Sequence, residues 1–183
     1  MQEDEALHAL LSSFCCDKDA DIEMFLRTRA VEFEKIAKSR TYLVLDADQL
    51  AQPTEDRFQI YGYVTLAVKT LYIPARYSNR MRKEIDGFSA KRRGDPISDA
   101  PCYLIGQLSK NTAIPGNPLT GAALLQFAGG VLAAAVQAVG GRYVMIECRP
   151  HEKLLAFYGA HGFTEFDRAD GMVQMIRKIG AAD

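Results

Sequence analysis

The stretch LLAFYGAHGF, residues 154 to 163, contains the side chain best placed for proton transfer. Tyr158 lies near the end of an apolar helical segment, and Gly162 is positioned to cap that helix before Phe163 begins a strand. A phenol in such a place can donate a proton to a leaving group. A buried tyrosine can equally be a core residue whose hydroxyl meets a backbone carbonyl. The surrounding motifs must decide between these two roles.

Composition bounds the class of protein. The chain has 183 residues, 48% of them apolar and 25% charged, which predicts one globular domain over residues 1–183. Its formal net charge of -1 excludes a chain-wide electrostatic surface for nucleic acid. The four cysteines form no CxxC pair, and the N-terminus is acidic and lacks the pattern of a signal peptide. These features predict a cytoplasmic protein with reduced thiols. Three scattered histidines and no clustered acids predict no metal.

Residues 111 to 141 carry no charge and are long enough to span a bilayer. However, their apolar residues are mostly alanine, and glutamine, glycine and proline interrupt them. A helix that is apolar on nearly all sides is also typical of a buried helix in a layered domain. We therefore expect a core helix and no membrane span.

Periodicity places the remaining elements. Helices are predicted over residues 19–38, 119–139 and 150–161, and strands over 10–16, 41–48, 58–73, 102–108 and 142–148, with two more strands at the C-terminus. A polar turn at residues 52–56 joins the second and third strands, which should form an antiparallel hairpin. The order predicts a mixed α/β sheet with a βαβ unit at its centre.

This order, together with FYGAHGF, resembles the GCN5-related N-acetyltransferase (GNAT) superfamily. FYGAHGF matches the FYxxxGF ending of the family's last helix and following strand, and the likeness covers most of the chain. The segment from SFCCDKD to SRTYLVLD, with LIGQLSKN, resembles a branch that includes acetyltransferase toxins of toxin–antitoxin pairs. The resemblance implies a GNAT fold: a mixed central β-sheet flanked by helices, with a splayed central parallel strand pair.

The resemblance implies how acyl transfer would work. An amine attacks the thioester of acetyl-CoA, the carbonyl must be polarised, and the departing thiolate must be protonated. In this family the tyrosine of FYxxxGF donates that proton, which favours the catalytic role for Tyr158. The backbone of Leu108 would hold the carbonyl, with Ser109 and Lys110 along the pantetheine. Glu147 would be the base, directly or through water, although a glutamate at a strand end is often structural.

The loop before the central helix departs from the family. The usual Q/R-x-x-G-x-G/A is replaced by NTAIPGNPLTGAALL, with no arginine or glutamine at its expected start. An ungapped match places Asn117 and Leu119 at the two glycine positions. Phosphate can still be bound by backbone N–H groups at Thr120, Gly121 and Ala122, because such binding needs N–H groups more than particular side chains. His151 occupies the place of a cofactor-contacting asparagine, or is simply an exposed histidine in a first helical turn.

A basic segment precedes the central strand. Residues 76 to 93 hold seven basic side chains against Glu84 and Asp86. An RNA acceptor would need such phosphate contacts, and Arg80, Arg82, Arg92 and Arg93 are the predicted acceptor-binding residues. A solvated surface loop is the plain alternative. The resemblance implies acetyl-CoA as co-substrate, tRNA and an antitoxin as partners, and leaves a homodimer open. Protein or small-molecule amines are alternative acceptors, and a non-catalytic binding protein of this fold is the alternative function.

Overall fold

The computed structural model describes residues 2–47, 58–87 and 95–180. Six helices are seen within these ranges: α1 (Gln2–Ser12), α2 (Ala20–Thr28), α3 (Ala30–Lys35), α4 (Asn79–Asp86), α5 (Gly121–Val139) and α6 (Glu152–Ala160). Six strands accompany them: β1 (Arg40–Val44), β2 (Gly62–Ile73), β3 (Ile97–Lys110), β4 (Tyr143–Cys148), β5 (Thr164–Ala169) and β6 (Met172–Lys178). The predicted turn at residues 52–56 lies outside the described ranges.

The described strands form one mixed sheet in the order β1-β2-β3-β4-β6-β5. The predicted hairpin is confirmed, since β1 and β2 pair antiparallel with Arg40 opposite Leu66 and Val44 opposite Gly62. β4 pairs antiparallel with β6, and β6 with β5. β3 and β4, joined through α5, are the parallel pair. The mixed α/β fold expected from the sequence is therefore confirmed, while the splay of this pair stays a prediction.

The chain divides into two compact units, one of Met1–Ala67 with Ile105–Gly130 and one of Val68–Leu104 with Val131–Asp183. In the first unit, Phe14, Leu26, Ile60 and Tyr63 are fully buried in a common core with neighbours from α1 and α2. In the second unit, the core gathers side chains from β2, α4, β3, β4, β5 and β6. Each unit thus has its own hydrophobic core.

The first predicted strand, over residues 10–16, is wrong. The chain is helical to Ser12, and residues 14–16 have no regular secondary structure. The Ser13 hydroxyl and amide both bond to the Leu10 carbonyl, which closes the helix end. Cys15 nevertheless accepts a backbone hydrogen bond from Thr112 at 3.0 Å. Only the end of the predicted strand therefore pairs with another part of the chain, because residues 10–12 belong to α1.

The helix predicted over residues 19–38 is two helices that meet at Arg29. The Thr28 hydroxyl donates to the Met24 carbonyl at 2.7 Å. Such back-bonding competes with the regular ladder and often bends a helix. The Asp19 side chain caps α2 by accepting from the Asp21 amide at 3.0 Å, in line with the predicted acidic start.

Helix α5 was expected to be buried on nearly all sides, but only one stripe of it is buried. Leu124, Leu125, Ala128 and Leu132 are at most 2% exposed, whereas Phe127 is 43% exposed. By length and composition alone, α5 could cross a membrane, which is equally true of core helices in many soluble proteins. The buried stripe recurs at helical spacing, which is typical of a helix packed on one face.

Candidate active site

The corner between α6 and β5 forms as the sequence predicts. Gly162 adopts a left-handed φ of 81°, and the Phe163 amide returns to the Tyr158 carbonyl at 3.1 Å. A side chain at this φ would be strained, so glycine suits the turn. The turn fixes the end of α6 and with it the position of the Tyr158 ring.

Tyr158 is buried, and its ring is held between aromatic neighbours. The ring lies edge-on to Phe157 at 5.0 Å and to Phe163 at 5.7 Å between centroids. The side chain is only 9% exposed. Burial, and secondarily the neighbouring Cys148, raises the pKa of Tyr158 to about 12. The phenol is therefore protonated across the neutral range and can act only as a proton donor there.

The Tyr158 hydroxyl differs from those of two other buried tyrosines. Tyr63 donates to the Ile22 carbonyl and Tyr103 to the Gly140 carbonyl, both at 2.6 Å. Within the described ranges, no residue is hydrogen bonded to the Tyr158 hydroxyl. Among the described side chains, the Tyr158 hydroxyl is not one of the buried polar atoms that lack a hydrogen-bond partner, so the hydroxyl itself is accessible to solvent although its ring is buried. The role of Tyr158 as a proton donor stays a prediction.

Glu147 lies on β4 within a polar cluster. Both of its carboxylate oxygens accept from the Lys69 ammonium at 2.9 Å, and Oε1 also accepts from the Gln174 amide at 2.9 Å. Its side chain is 31% exposed. Both carboxylate oxygens of Glu147 are therefore already engaged by groups of the protein. Sequence reasoning missed Lys69 and Gln174, which no motif marks and which lie on β2 and β6.

The end of β3, in the other unit, is fixed by short-range contacts. The Ser109 hydroxyl lies 3.3 Å from the Cys16 sulfur and 3.2 Å from the Lys110 carbonyl, and either can accept its single proton. Leu108 is half-buried and the Lys110 side chain is exposed. Lys110 is therefore open to an anionic ligand, while the Ser109 side chain is committed to the protein. The roles assigned to the three residues at the pantetheine stay predictions.

The loop after β3 changes the list of predicted phosphate donors. The Leu119 amide donates to Asn117 Oδ1 at 3.0 Å, so this N–H is already used. The Asn117 amide group is likewise occupied by the Tyr61 and Asn111 carbonyls, at 2.8 and 2.9 Å. The prediction that Leu119 and Asn117 contact the phosphate directly is therefore wrong, because their polar groups are used to hold the loop itself.

The three remaining predicted donors begin helix α5. The Thr120 hydroxyl accepts from the Ala123 amide at 3.1 Å and so caps the helix. No described residue accepts a hydrogen bond from the backbone N–H groups of Thr120, Gly121 or Ala122. Three consecutive open N–H groups at the N-terminus of a long helix suit a phosphate. The arrangement fits a diphosphate despite Pro118, which has no N–H to offer.

His151 is the N-cap of α6. Its Nδ1 accepts from the Lys153 amide at 3.3 Å, and its side chain is exposed. This geometry assigns the ring proton to Nε2, which can still donate outward. Both roles weighed for His151 are compatible with this position.

The basic side chains of residues 76–87 are less exposed than the sequence predicts. Arg82 is only 2% exposed and donates to the Asp95 carbonyl, so its predicted role in acceptor binding is wrong: the guanidinium serves the core around α4. Arg76 forms an ion pair with Asp167. Arg80 is exposed on α4, whereas Arg92 and Arg93 lie outside the described residues. Among the described residues, Arg80 is therefore the predicted acceptor contact whose side chain is exposed.

The four cysteines are free thiols in the structure. Burial, and then Glu165, raises the pKa of Cys148, which keeps this thiol protonated. No group of three His, Cys, Asp or Glu residues able to hold a metal ion is found within residues 2–47, 58–87 and 95–180.

The parallel β3–β4 pair, the crossover through α5 and the antiparallel β5–β6 pair together define the GNAT fold. No protein-family model matches the chain, and no curated protein matches it. The resemblance inferred from FYGAHGF is confirmed at the level of the fold, by the solved structures that are similar to this chain.

Solved structures of the toxin AtaT and of KacT share this fold. A tyrosine-to-phenylalanine mutant of KacT superposes with a TM-score of 0.70 at 19% identity, covering 96% of this chain and 91% of that chain. A tyrosine-to-phenylalanine mutant of the AtaT toxin superposes with a TM-score of 0.67 at 23% identity, covering 93% of this chain and 83% of that chain. AtaT complexed with acetyl-methionyl-tRNAfMet superposes with a TM-score of 0.65 at 24% identity, covering 90% of this chain and 85% of that chain.

Proposed function

We propose that this chain is an acetyl-CoA-dependent N-acetyltransferase that acts by direct transfer to a primary amine. The observation that carries the proposal is the buried Tyr158 within FYGAHGF, protonated and without a hydrogen-bond partner among the described residues. A hydroxyl that no described protein group occupies, at the end of a buried ring, is available to give its proton to a departing sulfur.

The chain's own residues supply three functions. The open N–H groups of Thr120, Gly121 and Ala122 bind the diphosphate, and Lys110 lies along the pantetheine. Glu147 takes the proton from the attacking amine, directly or through water. Tyr158 gives its proton to the sulfur as the carbon–sulfur bond breaks and the new carbon–nitrogen bond forms. Tyr158 then regains a proton from solvent.

Aminoacyl-tRNA is the acceptor we propose to test first. AtaT has been captured with acetyl-methionyl-tRNAfMet, and AtaTR with acetyl-CoA. The exposed Arg80 suits a phosphate backbone, although the burial of Arg82 reduces the basic surface that supports this acceptor. Protein and small-molecule amines remain the comparison acceptors. An antitoxin is proposed as a partner because AtaT binds the C-terminus of AtaR.

Calorimetric titration of the purified chain with acetyl-CoA is the first test. We expect saturable binding, followed by acetyl transfer to charged tRNA in a panel that includes lysine peptides and polyamines. Absence of binding at millimolar acetyl-CoA, with the protein folded, would refute the enzyme. It would favour the non-catalytic binding protein, which the lost Q/R-x-x-G-x-G/A motif already suggests. Transfer to another amine would retain the activity and replace the acceptor.

A further inference from the structure

The loop of residues 111–120 is held by two asparagine side chains in place of a glycine-rich backbone. Asn111 is 2% exposed. Its Oδ1 accepts from the amides of Cys15 and Ala113, at 3.1 and 3.0 Å, and its Nδ2 donates to the Ile60 carbonyl at 2.9 Å. This one side chain joins the segment after α1, the segment before β2 and the start of the loop.

Asn117 closes the other end of the loop. Its Nδ2 donates to the carbonyls of Tyr61 and Asn111, and its Oδ1 accepts from the Leu119 amide. Its own backbone amide donates to the Ile114 carbonyl at 3.2 Å. Every polar side-chain atom of Asn117 is therefore satisfied within the protein, and none is left for a ligand. A fully connected polar network of this kind makes a local structure rigid and unique.

Close packing on the other side of the loop limits it further. A Cβ atom at Gly62 would lie 2.5 Å from Leu119 Cδ2 and 2.8 Å from the Ser109 carbonyl oxygen. Pro118 fixes the backbone between Asn117 and Leu119. The loop is therefore clamped immediately before Thr120, the first of the three open N–H groups.

We infer that Asn111 and Asn117 are positioning residues for the cofactor diphosphate, which they do not touch. They take over the task of the missing glycine motif by fixing where the chain enters α5. They thereby pre-organise the N–H groups of residues 120–122 for an anion. This inference rests on the proposed function, and it assigns to the two side chains a part in binding that their chemistry alone does not suggest.

Two probes separate positioning from general support of the fold. Acetyl-CoA carries the diphosphate, whereas S-acetylpantetheine carries the same thioester without it. Asn117→Ala removes the three bonds of the side chain, and Gln126→Ala, at an exposed position of α5, is the control. Asn117→Asp keeps the acceptor for Leu119 but loses both donors, and it serves if Asn117→Ala does not fold. Binding is measured by calorimetry for acetyl-CoA and by NMR titration for S-acetylpantetheine, with thermal unfolding as the check on the fold.

We expect Asn117→Ala to weaken acetyl-CoA binding about tenfold or more, because the N–H groups of residues 120–122 would no longer be pre-organised for the diphosphate. S-Acetylpantetheine binding should be unchanged, and Gln126→Ala should match the parent with both probes. Equal losses for the two probes would show a merely structural asparagine and overturn the inference, as would unchanged acetyl-CoA binding. Failure of the parent protein itself to bind acetyl-CoA would overturn the proposed function and the inference together, and the parent titration alone shows it.

Discussion

Replacing Tyr158 by phenylalanine tests the proposed proton donor most directly. The ring contacts with Phe157 and Phe163 are retained, and the lost hydroxyl has no partner among the described residues. The free energy of unfolding should therefore change by no more than about 0.5 kcal/mol. The transfer rate should fall about 10²- to 10³-fold because the departing thiolate loses its general acid, which corresponds to about 3–4 kcal/mol in the barrier.

Tyr103→Phe is the matched control. Its hydroxyl donates to the Gly140 carbonyl at 2.6 Å, and its side chain is 8% exposed. This variant should lose about 1 kcal/mol of stability and keep its transfer rate. Urea unfolding gives the stability of each variant, and single-turnover release of free thiol gives the rate. Full activity in Tyr158→Phe, or equal rate losses in both variants, would refute the assigned role of Tyr158.

The raised pKa of Tyr158 predicts a second difference between the parent and Tyr158→Phe, in how stability depends on pH. The folded state holds this phenol at a pKa of about 12, against 10.0 for an ordinary tyrosine. Its stabilising contribution is therefore complete below pH 10 and is lost as the pH rises from 10 to 12, because the unfolded chain ionises first. Over that interval the parent should lose up to about 3 kcal/mol relative to Tyr158→Phe. Unfolding curves at increasing pH that stay parallel for the two proteins would contradict the burial argument.

Two further substitutions test the loop and the basic segment. Gly62→Ala should cost about 1–3 kcal/mol, since the new methyl overlaps Leu119 and the Ser109 carbonyl, and it should weaken acetyl-CoA binding in calorimetry. A parent-like variant would show that the loop can move away. Arg82→Ala should lose about 2–3 kcal/mol in urea unfolding, because its guanidinium is buried, whereas exposed Arg80→Ala should change stability by less than about 0.5 kcal/mol. Equal stability of the two arginine variants would contradict the buried role of Arg82.

Local signals were sufficient for much of the fold. The β-branched and aromatic residues of β1 and β2, with a polar turn between the two strands, predicted their hairpin, and the apolar run of α5 ended before Gly140 as expected. FYGAHGF predicted both the turn at Gly162 and the placement of Tyr158 near the end of α6. These features depend on spacing, caps and backbone conformation within a few residues, so they are visible in the sequence.

Other features depended on partners far along the chain. Glu147 meets Lys69 across 78 positions, and the Asn111 side chain reaches Cys15 across 96. Arg82 looked like one more surface cation, yet it is buried and donates to the Asp95 carbonyl. Whether a charge is solvated or a backbone N–H is already occupied is decided by what packs against it. The sequence by itself thus determined the order of elements and the residue types offered for chemistry, whereas tertiary packing decided which polar groups remain available to a ligand.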